Sequence, residues 1–504
     1  MDYLLGIDIG TFESKGTIID ANGAVIARAS TPHRMRVPQP GWAEHDPLTD
    51  WWGDFCLLSK QLVEQAAQAG IDASRIRAVG CSAIAPCMLP LDRDGTPLRH
   101  AVLYGVDTRA SREIDELNTL YGRERLLLHC GNALTSQSVG PKILWLKRNE
   151  PEHYAQAAKI VSSTTYLVYR LTGETVLDHY TAASFTPLYD IRTQQWSSTL
   201  ADEVDGGIID IDKLPTLAWT TDIAGRVTKQ AALQTGLAEG TPVIAGTADA
   251  AAEAVSVGVL AAGEMMMMYG STIFIIQVTD RAVQDPRLWY APWLFPGLHT
   301  SSSGLATSGT LTVWFREQFA RDLPADEAFG MLAQEAAQSP PGAKGLIMLP
   351  YLSGERTPIH DPHARGCVLG LNLTHTRGDL YRAALEGIAN SVRHVLETYA
   401  EAHASPRRVV AVGGGTKNPL WLQAVSDCAN FEQDVPSLTF GASFGSALLA
   451  GIGAGVLTAD TIHRANPIAA QVSPDPSTRA VYDKQHRIFR ELYLNTKDLM
   501  HLLG

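Results

Sequence analysis

Four short segments bring glycine, hydroxyl and acidic side chains to the ends of apolar runs, where a main chain can approach a ligand. The first is Asp8-Ile9-Gly10-Thr11-Phe12-Glu13-Ser14-Lys15-Gly16. A carboxylate at such a strand end, Asp8, suits Mg2+, bound directly or through water. Gly10 admits an anion close to the backbone, and Thr11 and Lys15 can donate to phosphate. An ordinary hairpin turn accounts for the same residues equally well. In the second segment, Ala245-Gly246-Thr247-Ala248-Asp249-Ala250-Ala251-Ala252-Glu253, an apolar run feeds a small-residue turn and then an alanine-rich helix. Asp249 sits where that helix starts, so it reads either as a helix cap or as a general base. The third, Val412-Gly413-Gly414-Gly415-Thr416-Lys417-Asn418-Pro419, leaves room for a flat ligand or a phosphate. Asn418 as N-cap and Pro419 at the first helical position then start a helix. The fourth is the turn Gly270-Ser271-Thr272. Together they place phosphate-cradling turns in both halves of the chain, the pattern of a nucleotide held across a cleft.

The elements that must position these turns form a pattern that occurs twice. Tyr3 to Ile9 reads as a strand, followed by Gly16 to Ile19 and Ala24 to Ala27, with Asn22-Gly23 as a hairpin turn. Past the midpoint, Met265 to Tyr269 and Ile273 to Ile276 flank Gly270-Ser271-Thr272 in the same way. The four consecutive methionines read as core strand, since no other soft metal ligand accompanies them. Two halves opening as strand, hydroxyl turn, strand imply a duplicated α/β fold with a cleft between. Helices are expected at Trp51 to Ala69, Arg112 to Tyr121, Ile143 to Arg148, Asp379 to His403 and Tyr482 to Leu503. Strands are expected at Ile76 to Gly80 and Val409 to Val412. No low-complexity linker separates the halves, which implies a hinge rather than a tether.

Composition narrows the class. The 504 residues, 45% hydrophobic and 19% charged, describe a globular chain with ample core. Against 41 Lys+Arg stand 53 Asp+Glu, a formal charge of −12. Such a chain carries no general field for nucleic acid or an anionic membrane. The six cysteines lack CxxC spacing and read as small buried hydrophobes in a reducing compartment. No signal-like N-terminus or membrane-length apolar run occurs, so a cytoplasmic protein is expected. Gly441-Ala442-Ser443-Phe444-Gly445 fits the nucleophile elbow of hydrolases, with Asp460, His463 and His486 downstream. No strongly apolar strand leads into it, and small residues at a helix start explain it more simply. Gly451-Ile452-Gly453-Ala454-Gly455 follows no strand and is not a dinucleotide fingerprint. The chain has no Walker A sequence, so any ATP site is of another type.

With these residues in view, the chain resembles the FGGY carbohydrate kinases of the actin-like ATPase superfamily. Gly366-Cys367-Val368-Leu369-Gly370-Leu371, then Asp379 to Glu386 after seven residues, fits the family's C-terminal signature. Lys142-Ile143-Leu144-Trp145-Leu146 fits part of the N-terminal one, while Gln137 and Val139 depart from it. Pro350-Tyr351-Leu352-Ser353-Gly354-Glu355-Arg356-Thr357-Pro358 is similar to a stretch of xylulose kinases. The resemblance implies two actin-like, ribonuclease H-like lobes: residues 1–245 on the sugar and phosphate side, 246–504 on the nucleotide side. It further implies ATP and Mg2+, a small sugar substrate, most readily a ketopentose such as xylulose, and a homodimer. Asp8 would sit by the metal and γ-phosphate, Thr11 and Lys15 by the phosphates, and Asp249 would be the catalytic base. Gly270, Ser271, Thr272, Gly309, Gly413, Gly414 and Asn418 would line the nucleotide. Asp107 and Arg109 would lie on the sugar side, where Ala85 and Pro86 replace the Met-His pair of xylulose kinases. Another polyol, hexulose or sugar-acid kinase of the family is the alternative. From a different class come an actin-like ATPase switch without a sugar and a Ser443 hydrolase.

Overall fold

The computed structural model describes residues 2–503 as a mixed α/β chain built on two sheets of the same wiring. In the first sheet, β1 (Tyr3–Ile9), β2 (Glu13–Asp20) and β3 (Val25–Pro32) form an antiparallel meander. The expected turn at Asn22-Gly23 joins the last two, with Gly23 at φ +83°. On the other side of β1 lie β4 (Ile76–Ala83) and β6 (Pro242–Ile244), both parallel to it, and then antiparallel β5 (Ile223–Arg226). The second sheet repeats the design. Here β7 (Glu264–Tyr269), β8 (Ile273–Thr279) and β10 (His299–Leu305) form the meander, with β9 (Trp289–Pro292) added at its edge. Beyond β7 come β11 (Arg408–Val412) and β12 (Gln433–Pro436), parallel, then antiparallel β13 (Ile468–Val472). The duplication expected from the two hydroxyl turns is therefore a duplication of sheet topology.

The helices follow their apolar spacing, with shifts at the ends. Trp51 and Trp52 fall in a wide π-helical stretch, Pro47–Gly53, which Asp46 caps; α1 (Asp54–Gln68) starts only after it. The helix expected from Ile143 begins at Val139. The long helix α3 (Arg377–Glu401) opens with a capping box, in which Thr376 and Asp379 satisfy each other's backbone amides. All four methionines of the run lie in β7: Met265 and Met267 pack into the second lobe's core, and Met266 faces the opposite side. Cys81, Cys87, Cys130 and Cys428 are buried, and all six thiols are free.

Two helices lock the lobes together. The helix α2 (Asp249–Ser256) follows β6, and α5 (Ala442–Gly453) comes from the far end of the chain to lie on β1 and β4 of the first sheet. The approach needs glycine: Gly6 and Gly80 are register partners, and a Cβ on either would stand 2.0 or 2.1 Å from a carbonyl of α5. At Gly445, a Cβ would come within 1.8 Å of the Ala252 carbonyl of α2. One apolar core runs through this junction, joining Leu4 and Ala78 of the first sheet to Met266 and Val410 of the second through Val255 and Phe444. The halves are thus joined through packed core, with no tether between them.

Gly445→Ala should therefore lower stability by about 1–3 kcal/mol, the ordinary cost of overpacking. Gly330→Ala, also inside a helix but with open space around it, should raise stability by about 0.5–1 kcal/mol. Thermal or urea melts that place both substitutions on the same side of the wild type would contradict this packing.

Candidate functional site

Asp8 lies near the C-terminal end of β1, 7% exposed, beside the turn Gly10-Thr11-Phe12. Its parallel register partner, Ser82, donates a hydrogen bond to Asp8 Oδ1 at 2.8 Å. Ser446 of α5 donates in turn to Ser82 at 2.8 Å. The glycine-lined approach of α5 thus ends in a hydroxyl relay that orients Asp8. Ser443, the central residue of the elbow-like motif, is buried and bonded to Thr17 at 2.8 Å, as close helix packing requires. Asp460, His463 and His486 are not among its hydrogen-bond partners, so the structure uses this serine for packing.

Asp249 begins α2. The neighbouring Ala250 amide donates to its carboxylate at 2.7 Å, and the helix takes no side-chain cap from it. Glu253 stands one turn further on, and its Oε2 would lie 3.2 Å from a Cβ placed on Gly441. Asp8, Asp249 and Glu253 share one crevice and act on each other. Burial and the charge of Asp8 push the Asp249 carboxyl well up. Burial likewise raises Asp8, although Ser82 and Lys15 favour its charged form. Glu253 is pushed up to about 7 by burial and then by Asp8. Lys15, the cation in reach, is half-exposed and paired with Glu13 at 3.2 Å.

Thr11 reaches across to Tyr104, Oγ1 to hydroxyl 3.0 Å. Burial raises the Tyr104 phenol, and the charge of Asp249 adds to the effect, so this ring borders the same crevice. Buried Lys142 holds the tyrosine's loop, donating to the carbonyls of Leu103 and Tyr104 at 2.6 and 3.0 Å. Asp107 and Arg109 pair with each other in that loop, and Arg109 Nη1 is buried with no hydrogen-bond partner among the described residues. Asp107 also accepts from the Ala43 amide, while Arg109 pairs with Glu44 and lies 3.8 Å over Trp42. Ala85 and Pro86 follow β4, the first half-buried and the second buried.

The second lobe gathers its own turns. The Gly309 amide donates to the Gly270 carbonyl at 3.0 Å, and the Ser308 and Thr310 amides to that of Ser271. Gly413, at φ +94°, lies close enough that a Cβ would stand 2.7 Å from the Tyr269 carbonyl. Gly270, Ser271, Thr272, Gly309 and Gly413 thus form one cluster, next to Gly414, whose surroundings are open. Asn418 caps α4 (Pro419–Ala429) through the Trp421 amide, 3.2 Å away.

The described residues contain no group of three or more His, Cys, Asp or Glu arranged to hold a metal ion by themselves, and no helix long and apolar enough to cross a membrane. The site also takes in Ser82, Glu253, Tyr104 and Lys142, none of which the sequence motifs mark as site residues. The spacing Asp249 to Glu253 was the available signal, since residues four apart share a helix face.

The model of the FGGY carbohydrate kinases matches residues 3–256 with its N-terminal domain and residues 265–454 with its C-terminal domain. The chain belongs to this family. A xylulose kinase of Bacillus subtilis is 30% identical to it over 99% of this chain and 98% of its own. An autoinducer-2 kinase of Yersinia enterocolitica is 31% identical over 91% of this chain and 87% of its own. The crystal structure of a xylulose kinase from Rhodospirillum rubrum superposes with a TM-score of 0.92 at 31% identity, covering 99% of this chain and all of that one. The FGGY protein described here is accordingly a carbohydrate kinase with the family's two actin-like lobes. Its N-terminal family domain ends at Ser256, the last residue of α2.

An ordinary glutamate loses its proton near pH ~4.3. Glu253 retains its own to about 7 in the folded protein, so the unfolded chain binds fewer protons in that window and stability falls as pH rises through it. Glu253→Gln removes this effect. Its melting temperature, taken relative to wild type, should climb steadily between pH 4 and 7; a constant offset would contradict the assignment.

Proposed function

We propose that this kinase transfers the γ-phosphoryl group of ATP to a hydroxyl of a ketopentose such as xylulose, with Asp249 as general base. One observation carries the reading. The Asp249 carboxylate sits in the crevice beside Asp8 and, among the described residues, no side chain donates to it, which leaves it free to accept a substrate hydroxyl. ATP as the donor accords with membership of the family. The ketopentose rests on the full-length relatives named as xylulose kinases.

On this reading the sugar hydroxyl gives its proton to Asp249 as its oxygen attacks the γ-phosphorus. The raised pKa matches a group that must take a proton near neutral pH. Charge on the transferring phosphoryl oxygens is met by Thr11 and Lys15 and by the Gly10-Thr11 turn. The cluster at Gly270, Ser271, Thr272, Gly309, Gly413 and Gly414 seats the rest of the nucleotide, and Asn418 contributes as the cap that shapes its edge. Ala85 and Pro86 line the sugar side. Asp107 and Arg109 serve it by fixing the loop that carries Tyr104.

The crowded carboxylates fit a divalent cation, since one half-exposed lysine does not neutralise them. Asp8 would hold Mg2+, with Glu253 nearby; phosphate oxygens and water complete the usual shell of this ion. When bound, Mg2+ supplies charge neutralisation at the phosphates.

Asp249→Asn should reduce turnover by about 10²–10⁴-fold while leaving ATP affinity within about twofold of wild type. A coupled ADP assay checks the first and calorimetry the second. Wild-type turnover in this variant would refute the base. Across ketopentoses, ketohexoses, pentitols, glycerol and gluconate, the highest kcat/KM should fall to a ketopentose; glycerol or gluconate in first place would overturn the substrate reading.

A further inference from the structure

Two histidines from separate elements grip the turn that follows Asp8. His33, just beyond β3, directs Nε2 at the Gly10 carbonyl, 3.0 Å away. Its Nδ1 faces Asp54 Oδ2 at 2.8 Å, and Ser14 donates to the same carboxylate oxygen at 2.7 Å. The Gly10 carbonyl can only accept, so Nε2 donates to it; Nδ1 has the Asp54 carboxylate and, at 3.3 Å, the Ser14 hydroxyl beside it, and the carboxylate favours a second proton there. Burial opposes that charge, but Asp54 and the Gly10 carbonyl hold the pKa above the usual histidine value. His45 is the complement. Its Nδ1 accepts from Trp51 Nε1 at 3.1 Å, which leaves the hydrogen on Nε2 to reach the Thr11 carbonyl, also at 3.1 Å. The two rings meet edge to face with centroids 4.9 Å apart, and burial together with the His33 charge pushes His45 down to about 4. A third carbonyl, that of Phe12, accepts from the His33 backbone amide at 2.9 Å.

A trans peptide points its N–H opposite to its C=O. Holding the carbonyls of Gly10 and Thr11 on the histidine side therefore turns the amides of Thr11 and Phe12 away from it. Among the described residues, neither amide donates a hydrogen bond within the protein. Two consecutive free amides beside Asp8, Thr11 and Tyr104 make a nest for an anion.

We propose that His33 and His45 are positioning residues that hold the Gly10-Thr11-Phe12 turn with its Thr11 and Phe12 amides aimed at the terminal phosphates of the nucleotide. The inference rests on the kinase reading for the identity of the anion and goes beyond it in assigning the two rings. They touch neither nucleotide nor sugar and act through the carbonyls they hold. A glutamine at position 45 can reproduce both bonds, accepting from Trp51 through its oxygen and donating to Thr11 through its nitrogen. Phenylalanine there fills the space and makes neither.

The test measures Mg-AMPPNP affinity by calorimetry, and kcat with KM for the sugar, in wild type, His45→Phe, His45→Gln and His33→Leu. His45→Phe and His33→Leu should each weaken Mg-AMPPNP binding and lower kcat by about tenfold or more, leaving the sugar KM within about twofold. His45→Gln should return both values to within about threefold of wild type. Equal losses in the glutamine and phenylalanine variants, or unchanged nucleotide affinity in folded His45→Phe and His33→Leu, would overturn the proposal. The histidines stand on different elements, so either position carries the test should a variant at the other fail to fold. If wild type phosphorylates no sugar, the kinase reading fails, while the AMPPNP titration still decides the role of the rings.

Discussion

Like charges crowd the base of this crevice. Asp8 is buried, Asp249 and Glu253 are half-buried close to it, and each of the latter two is raised further by the charge of the first. Such an arrangement resists folding and persists only where the surrounding structure over-determines it. Here the over-determination is visible. A strand end carries Asp8, a helix start carries Asp249, and α5 presses on both strand and helix at contacts too close for any side chain. The Ser446–Ser82–Asp8 relay ties the first carboxylate to that packing. The acidic centre is thus held in place by backbone contact, and the charged groups themselves supply little of the cohesion.

The same constraint shapes the domain boundary. Helix α5 belongs by sequence to the second half, yet its small residues lie on the first sheet. Helix α2 follows the first sheet and shares a core with the second. Elements that cross in this way make a closely packed junction, and the acids sit at that junction.

Much of this was legible in the residues. Strand, hydroxyl turn and strand recur at Tyr3 to Ile19 and at Met265 to Ile276, and the sheets they open are wired alike. The Asn22-Gly23 turn, Asn418-Pro419 helix start and buried methionines followed from local rules that tertiary packing did not override. Other features needed the fold. The resemblance puts Asp107 and Arg109 on the sugar side, but it does not reveal Trp42, Glu44 and the Ala43 amide, the partners that hold them. Ser82 had no distinguishing neighbours until its register placed it opposite Asp8. His33 and His45 are twelve residues apart and reveal their purpose only when β3 and the Glu44–His45 strand bring them behind Gly10.

The most direct measurement of the central claim is a crystal structure of the protein with Mg-AMPPNP and D-xylulose. The account predicts a triphosphate running from the Gly270 cluster to the Thr11 and Phe12 amides, and a sugar hydroxyl within hydrogen-bond distance of the Asp249 carboxylate. A nucleotide seated away from both turns, or a sugar whose hydroxyls leave Asp249 untouched, would contradict it.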